Sequence, residues 1–149
     1  MNNMKKYYKN TENALPNIII RKFIEMKIKP SKAIDLGCGA GRDTIYLIKN
    51  GWNVLSIDKE DTGKFISSKL NEEEIKRFRF VRQDFENIES EKNNLLVANF
   101  SIPFCKKDCF NELWNKITNS ILKERILCGN FFWIKQLMGR NKRTNGIFI

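Results

Sequence analysis

The stretch AIDLGCGAGRDTIYLIKNGWNVLSID, residues 33–58, places Gly37, Gly39 and Gly41 within five positions. An apolar run precedes the glycines, a helical pattern follows, and a second apolar run ends on Asp58. "KAIDL" reads as a buried strand and "NVLSID" as a second, with residues 41 to 50 a helix between them closed by Asn50-Gly51. Glycines at such a strand-to-helix turn remove Cβ atoms, so a ligand can approach the backbone and the helix can pack close to the sheet.

Asp58 lies 21 positions after Gly37, at the end of the second strand, where a carboxylate can accept hydrogen bonds from both hydroxyls of a ribose. The ligand is therefore read as a nucleoside. A dinucleotide fingerprint is G-x-G-x-x-G, whereas this chain has D-x-G-x-G-x-G at Asp35, Gly37, Gly39 and Gly41. An acid just before the turn is unwelcome beside a pyrophosphate but suits a ligand with an ammonium and a sulfonium, as in S-adenosylmethionine. The glycine spacing disfavours a nicotinamide oxidoreductase.

The pattern continues outward. Residues 12 to 28 read as a helix with Pro16 in its first turn and Ile19, Ile20, Phe23 and Met26 available to one face. A helix starting near Thr62 buries Phe65, Ile66 and Leu70, and "RFRFVRQD" alternates as a third strand. "NLLVANF" is a fourth, apolar enough to be covered on both faces. Asp108 caps a helix with Phe110, Leu113, Trp114, Ile117 and Ile121 at helical spacing, and "RILCGNFFWIK" is a fifth strand. The predicted fold is a single α/β domain over residues 1–149, a Rossmann-like, mainly parallel sheet of about five strands with helices on both faces. Residues 1–30 form an N-terminal lid and helix, 31–135 the cofactor-binding core, and 136–149 a basic tail.

Composition narrows the classes. The chain is 42% hydrophobic, but no apolar run reaches the roughly 20 residues a membrane span needs, and the polar "MNNMKKYYKN" is not a secretory signal; the expected compartment is the cytoplasm. The net charge of +10 is concentrated at the ends: residues 1 to 32 contribute +6 and 119 to 149 contribute +5, while the centre is near neutral. A nucleic-acid partner is accordingly not favoured. With no histidine, and Cys38, Cys105, Cys109 and Cys128 scattered, free thiols are expected and no metal site. Arg42-Asp43 reads as a helix start that pairs locally, and Trp114 and Trp133 as core. "NFSIPF" has the wrong spacing for a base-clamping N-P-P-Y motif.

"IDLGCGAGRDTIYLIKNGWNVLSIDKE" resembles the first and second motifs of class I S-adenosylmethionine-dependent methyltransferases, within the small bacterial group of tellurite-resistance-type enzymes. "YYKNTENALP" resembles that group's amino-terminal lid, "FVRQDFENI" its adenine-side motif and "NLLVANFSIPFC" its fourth-strand motif. The resemblance implies that Asp35 holds the methionine amino group through water, while Gly37, Cys38, Gly39 and Gly41 line the methionine moiety and its turn. It further implies Asp58 on the ribose hydroxyls, Lys59 beside the adenine, Asp84 on the adenine amino group and Phe85 donating its backbone amide. The Asn99 carbonyl then lies near the amino group, Phe100 and Ser101 near the reactive methyl, and Tyr7 and Tyr8 over the cofactor. No particular acid is marked as a catalytic base, and methyl transfer to a soft small-molecule acceptor requires none.

Two departures accompany the resemblance. The family's Lys-Pro-Gly-Gly turn before the fifth strand is replaced by "LKERILCGN", and the chain stops before two further strands. An unpaired sheet edge is the expected consequence, covered by a second copy or a partner chain. The alternative function is a catalytically inactive nucleoside-binding or interaction domain.

Overall fold

The computed structural model describes residues 3–11, 13–84, 87–89, 91–99, 107–130 and 145–148. Helix α1 spans Asn3–Thr11 and α2 spans Ile18–Glu25. The sequence pattern started α2 earlier; its N-cap is Asn17, whose side chain accepts the Ile19 N–H at 2.9 Å and so leaves Pro16 outside the helix. Ile19, Ile20 and Phe23 are buried as expected, whereas Met26, at the C-cap, is exposed.

Strand β1 (Lys32–Leu36), helix α3 (Arg42–Lys49) and strand β2 (Asn53–Asp58) fall where the glycine stretch places them, and Gly51 leaves α3 at φ 89°. Helix α4 (Gly63–Ser67) is a single turn that buries Ile66; Phe65 and Leu70, expected inside, are half-buried. Helix α5 (Glu72–Ile75), which the apolar pattern did not suggest, is held by a capping box: the Asn71 side chain accepts from the Glu73 and Glu74 N–H groups, and Glu74 accepts from the Asn71 N–H. Strands β3 (Phe78–Arg82) and β4 (Asn93–Ala98) follow, then a 3-10 turn over Lys107–Cys109 that contains Asp108, and helix α6 (Phe110–Ser120). Strand β5 (Ile121–Asn130) begins directly after α6, so Ile121 belongs to the sheet and not to the helix face predicted for it.

Five parallel strands run in the order 3-2-1-4-5. A sixth, β6 (Asn145–Phe148), pairs antiparallel with β5. The edge expected to be open is therefore occupied by a strand from the stretch assigned to a basic tail, because its backbone N–H and C=O groups find partners there.

Alternation along the strands divides the core. Ala33, Val54, Leu95, Val97 and Cys128 pack with Phe23 of α2 and Leu47 and Ile48 of α3 on one face, where the Phe23 and Trp52 rings lie 5.4 Å apart. Ile34, Leu36, Ile57 and Leu96 pack with Leu113 and Ile117 of α6 on the other. Both faces are covered, as an apolar parallel sheet requires. Strand order reverses between β1 and β4, and the carboxyl ends of β1, β2 and β4 converge on that switch point.

Candidate functional site

The loop after β1 is tied to the end of β2. The Gly37 and Cys38 N–H groups donate to the Ile57 carbonyl at 2.7 and 3.2 Å, and the Gly39 N–H donates to Asp58 Oδ2 at 2.8 Å. Asp58 Oδ1 also accepts the Glu60 N–H at 2.9 Å, so its buried carboxylate is oriented at both oxygens. Gly39 and Gly41 hold φ of 54° and 78°, the left-handed region that glycine reaches without strain. A Cβ on Gly39 would lie 3.4 Å from the Tyr8 ring of α1, which places Tyr8 over the loop. A Cβ on Gly41 would lie 2.5 Å from the Ile66 side chain, so this glycine is required by packing against α4.

Asp35, near the end of β1, is only 4% exposed and accepts the Thr44 hydroxyl at 2.6 Å; Thr44 Oγ1 lies 2.7 Å from Ser56 Oγ of β2. Burial first, and then the nearby Asp43, push the Asp35 carboxyl from 3.8 up to about 7, against the Thr44 hydrogen bond, with Asp58 adding a smaller upward push. Burial also pushes the Cys38 thiol well above its ordinary value, and Asp35 and Asp58 push it further, so Cys38 remains a neutral thiol in the loop. Cys128 is pushed up to about 12 by burial and by Asp43.

Beyond β2 and β3 a depression of about 360 Å³ is lined by Lys59, Glu60, Arg82, Gln83 and Asp84. It is braced by Arg82 Nε donating to the Lys59 carbonyl at 2.9 Å and by the Gln83 N–H donating to the Asp58 carbonyl at 2.9 Å. The fold thus brings Asp35, Gly37, Cys38, Gly39, Gly41, Asp58, Lys59 and Asp84 to one end of the sheet, with Tyr8 above and Asn99 just after β4. Phe85, Phe100, Ser101, Cys105, Trp133 and the side chain of Tyr7 lie outside the described residues.

Asp43, Thr44 and Ser56 are also here and were not singled out as site residues. Asp43 lies in the first turn of α3, 3.7 Å from Arg42, as the local reading has it, but it also reaches Asn17 and Asn99, 26 and 56 positions away. The signal for Ser56 is a small hydroxyl between Leu55 and Ile57 within an otherwise apolar run.

This constellation can be set beside known proteins. The family profile described as "Tellurite resistance protein TehB" matches residues 2–138. The chain belongs to the TehB family. A TehB-like S-adenosylmethionine-dependent methyltransferase from Corynebacterium glutamicum is similar in structure, with a TM-score of 0.69 at 23% identity over 87% of this chain and 71% of the other. TehB from Haemophilus influenzae gives a TM-score of 0.68 at 20% identity, covering 83% of this chain and 43% of that one. The glycopeptide N-methyltransferase MtfA, crystallised with S-adenosylmethionine, gives 0.66 at 13% identity, covering 79% and 55%. At these identities the likeness is one of fold. The TehB-family chain spans about half the length of two of these three proteins. Among curated proteins, none matches. No helix among the described residues is long and apolar enough to cross a membrane.

Proposed function

We propose that this chain binds S-adenosylmethionine and transfers its methyl group to a small-molecule acceptor by in-line displacement. The observation that carries this reading is the Asp58 carboxylate locked to the Gly39 N–H across the end of the sheet. Each Asp58 oxygen takes one backbone N–H, and a carboxylate has about four acceptor positions, so one remains on each oxygen for a pair of vicinal hydroxyls. A second fit is electrostatic: Asp35, Asp43 and Asp58 are all under a tenth exposed, and Arg42 is the one cation paired with any of them among the described residues. A cationic ligand relieves that mutual repulsion. A third is steric, since Gly39 presents bare backbone beneath Tyr8.

In this reading Asp58 holds the ribose, Lys59 and Asp84 flank the base in the depression they line, and Asp35 faces the amino group. Gly37, Cys38 and Gly39 border the methionine portion, with Cys38 held as a neutral thiol that does not compete as a nucleophile. Phe85, Asn99, Phe100 and Ser101 complete the proposed set. When bound, the cofactor supplies a sulfonium-activated methyl group with its own leaving group. The protein's part is to orient that group against the acceptor and to exclude water, which Tyr8 over the loop does on one side.

The test is calorimetric titration with S-adenosylmethionine, with NADH as control and Asp58→Ala as variant, followed by a screen of thiols and selenium and tellurium oxyanions for methylated product. Binding of S-adenosylmethionine alone, lost in the variant and followed by turnover, is the expected result. Binding of NADH instead overturns the reading, and cofactor binding without turnover supports a nucleoside-binding domain.

A further inference from the structure

Asp43 is 7% exposed in the first turn of α3, and both of its oxygens are engaged. Oδ1 accepts the backbone N–H of Asn17, just before α2, at 2.8 Å, with Arg42 Nε 3.7 Å away. Oδ2 accepts the Asn99 carboxamide at 2.8 Å, where the chain leaves β4. A carboxylate can only accept, so the group that Asn99 turns toward Asp43 must be its NH2. That fixes the other half of the amide: Asn99 Oδ1 is turned away from Asp43, is buried, and has no hydrogen-bond partner among the described residues. A buried acceptor without a donor is uncommon and calls for an explanation. This one stands at the switch point, beside a carboxylate whose charge acts on Asp35.

We propose that Asp43 is a positioning residue that holds the Asn99 side chain with its Oδ1 toward the ligand's ammonium group. This rests on the cofactor reading above and adds to it a side-chain acceptor that discriminates ligands carrying the amino-acid portion from those lacking it. Asp43 thereby joins three pieces of the site, namely the segment leading from the Tyr8 helix into α2, the start of α3, and the end of β4.

The experiment compares calorimetric affinities for S-adenosylmethionine, S-adenosylhomocysteine and 5′-methylthioadenosine, which lacks the amino-acid portion. The proteins are the wild-type chain, Asp43→Asn, Asn99→Ala and the double variant. An Asn at position 43 can still accept from Asn17 but offers NH2 to Asn99, whose amide then flips and presents a donor to the ammonium. Each single variant is expected to lose roughly tenfold or more in affinity for the first two ligands, while methylthioadenosine affinity stays within about twofold. Once Asn99 is Ala, adding Asp43→Asn should change affinity by no more than about twofold.

Equal losses for all three ligands overturn the proposal, because a merely structural Asp43 would weaken them alike. Fully additive losses also overturn it, because Asp43 would then act on the ligand as a charge and not through Asn99. If the wild-type chain binds none of the three, the cofactor reading itself fails. If methylthioadenosine binds but the variants leave S-adenosylmethionine affinity unchanged, only the Asp43–Asn99 assignment fails.

Discussion

Asp35 makes the site sensitive to pH in a direction opposite to most carboxylates. Its carboxyl is raised from 3.8 to about 7, so between those values the folded chain keeps a proton that the unfolded chain has released. The stabilisation is fully present below about pH 4 and is lost as pH rises through about 7. The ligand-free chain is therefore expected to melt at a lower temperature at pH 8 than at pH 5, and Asp35→Asn should flatten the difference in a thermal scan. A cationic ligand beside Asp35 favours its ionised form, so binding near pH 7 should release a proton. Titrations in buffers of different ionisation enthalpy measure that release, and Asp35→Asn should abolish it.

At the scale of elements, the glycine loop works because α4 fills the space a side chain at Gly41 would need. Gly41→Ala puts a Cβ 2.5 Å from Ile66 at a φ of 78°, combining overpacking with a left-handed backbone. A loss on the order of 3 kcal/mol in urea denaturation is expected. Shortening Ile66 to Ala in the same chain should recover the steric part alone. Helix α5 depends on its cap: Asn71→Ala removes the acceptor for two N–H groups and should cost about 1 kcal/mol in the same assay, with ligand binding unchanged.

At the scale of the whole molecule, β6 closes the β5 edge of the sheet with four residue pairs, from Leu127–Phe148 to Asn130–Asn145. A chain ending at residue 144 exposes the N–H and C=O groups of β5, a template for pairing with another chain. Such a variant should show a lower thermal midpoint and concentration-dependent association in analytical ultracentrifugation. An association state and midpoint unchanged from those of the full chain would show that β6 contributes nothing to the edge.

What the sequence by itself determined is what is local. Apolar patterns located β1 and β2 to the residue and α3 to within one residue at each end. The glycine spacing and the 21-residue interval to Asp58 marked the end of the sheet where Asp35, the glycine loop and Asp58 come together. Caps that compete with such patterns, at Asn17 and Asn71, moved or added helices because a single side-chain hydrogen bond decides a helix start. Only the tertiary structure decided the rest. Asn17, Asp43 and Asn99 meet because α2, α3 and the end of β4 converge, and nothing in their spacing encodes that. The displaced pKa of Asp35 likewise comes from burial and from two carboxylates on other elements, and the partner of β5 from 15 or more residues further along the chain. Periodicity records which face of an element is apolar. Long-range polar contacts are set by how those faces pack, and that is a property of the folded chain alone.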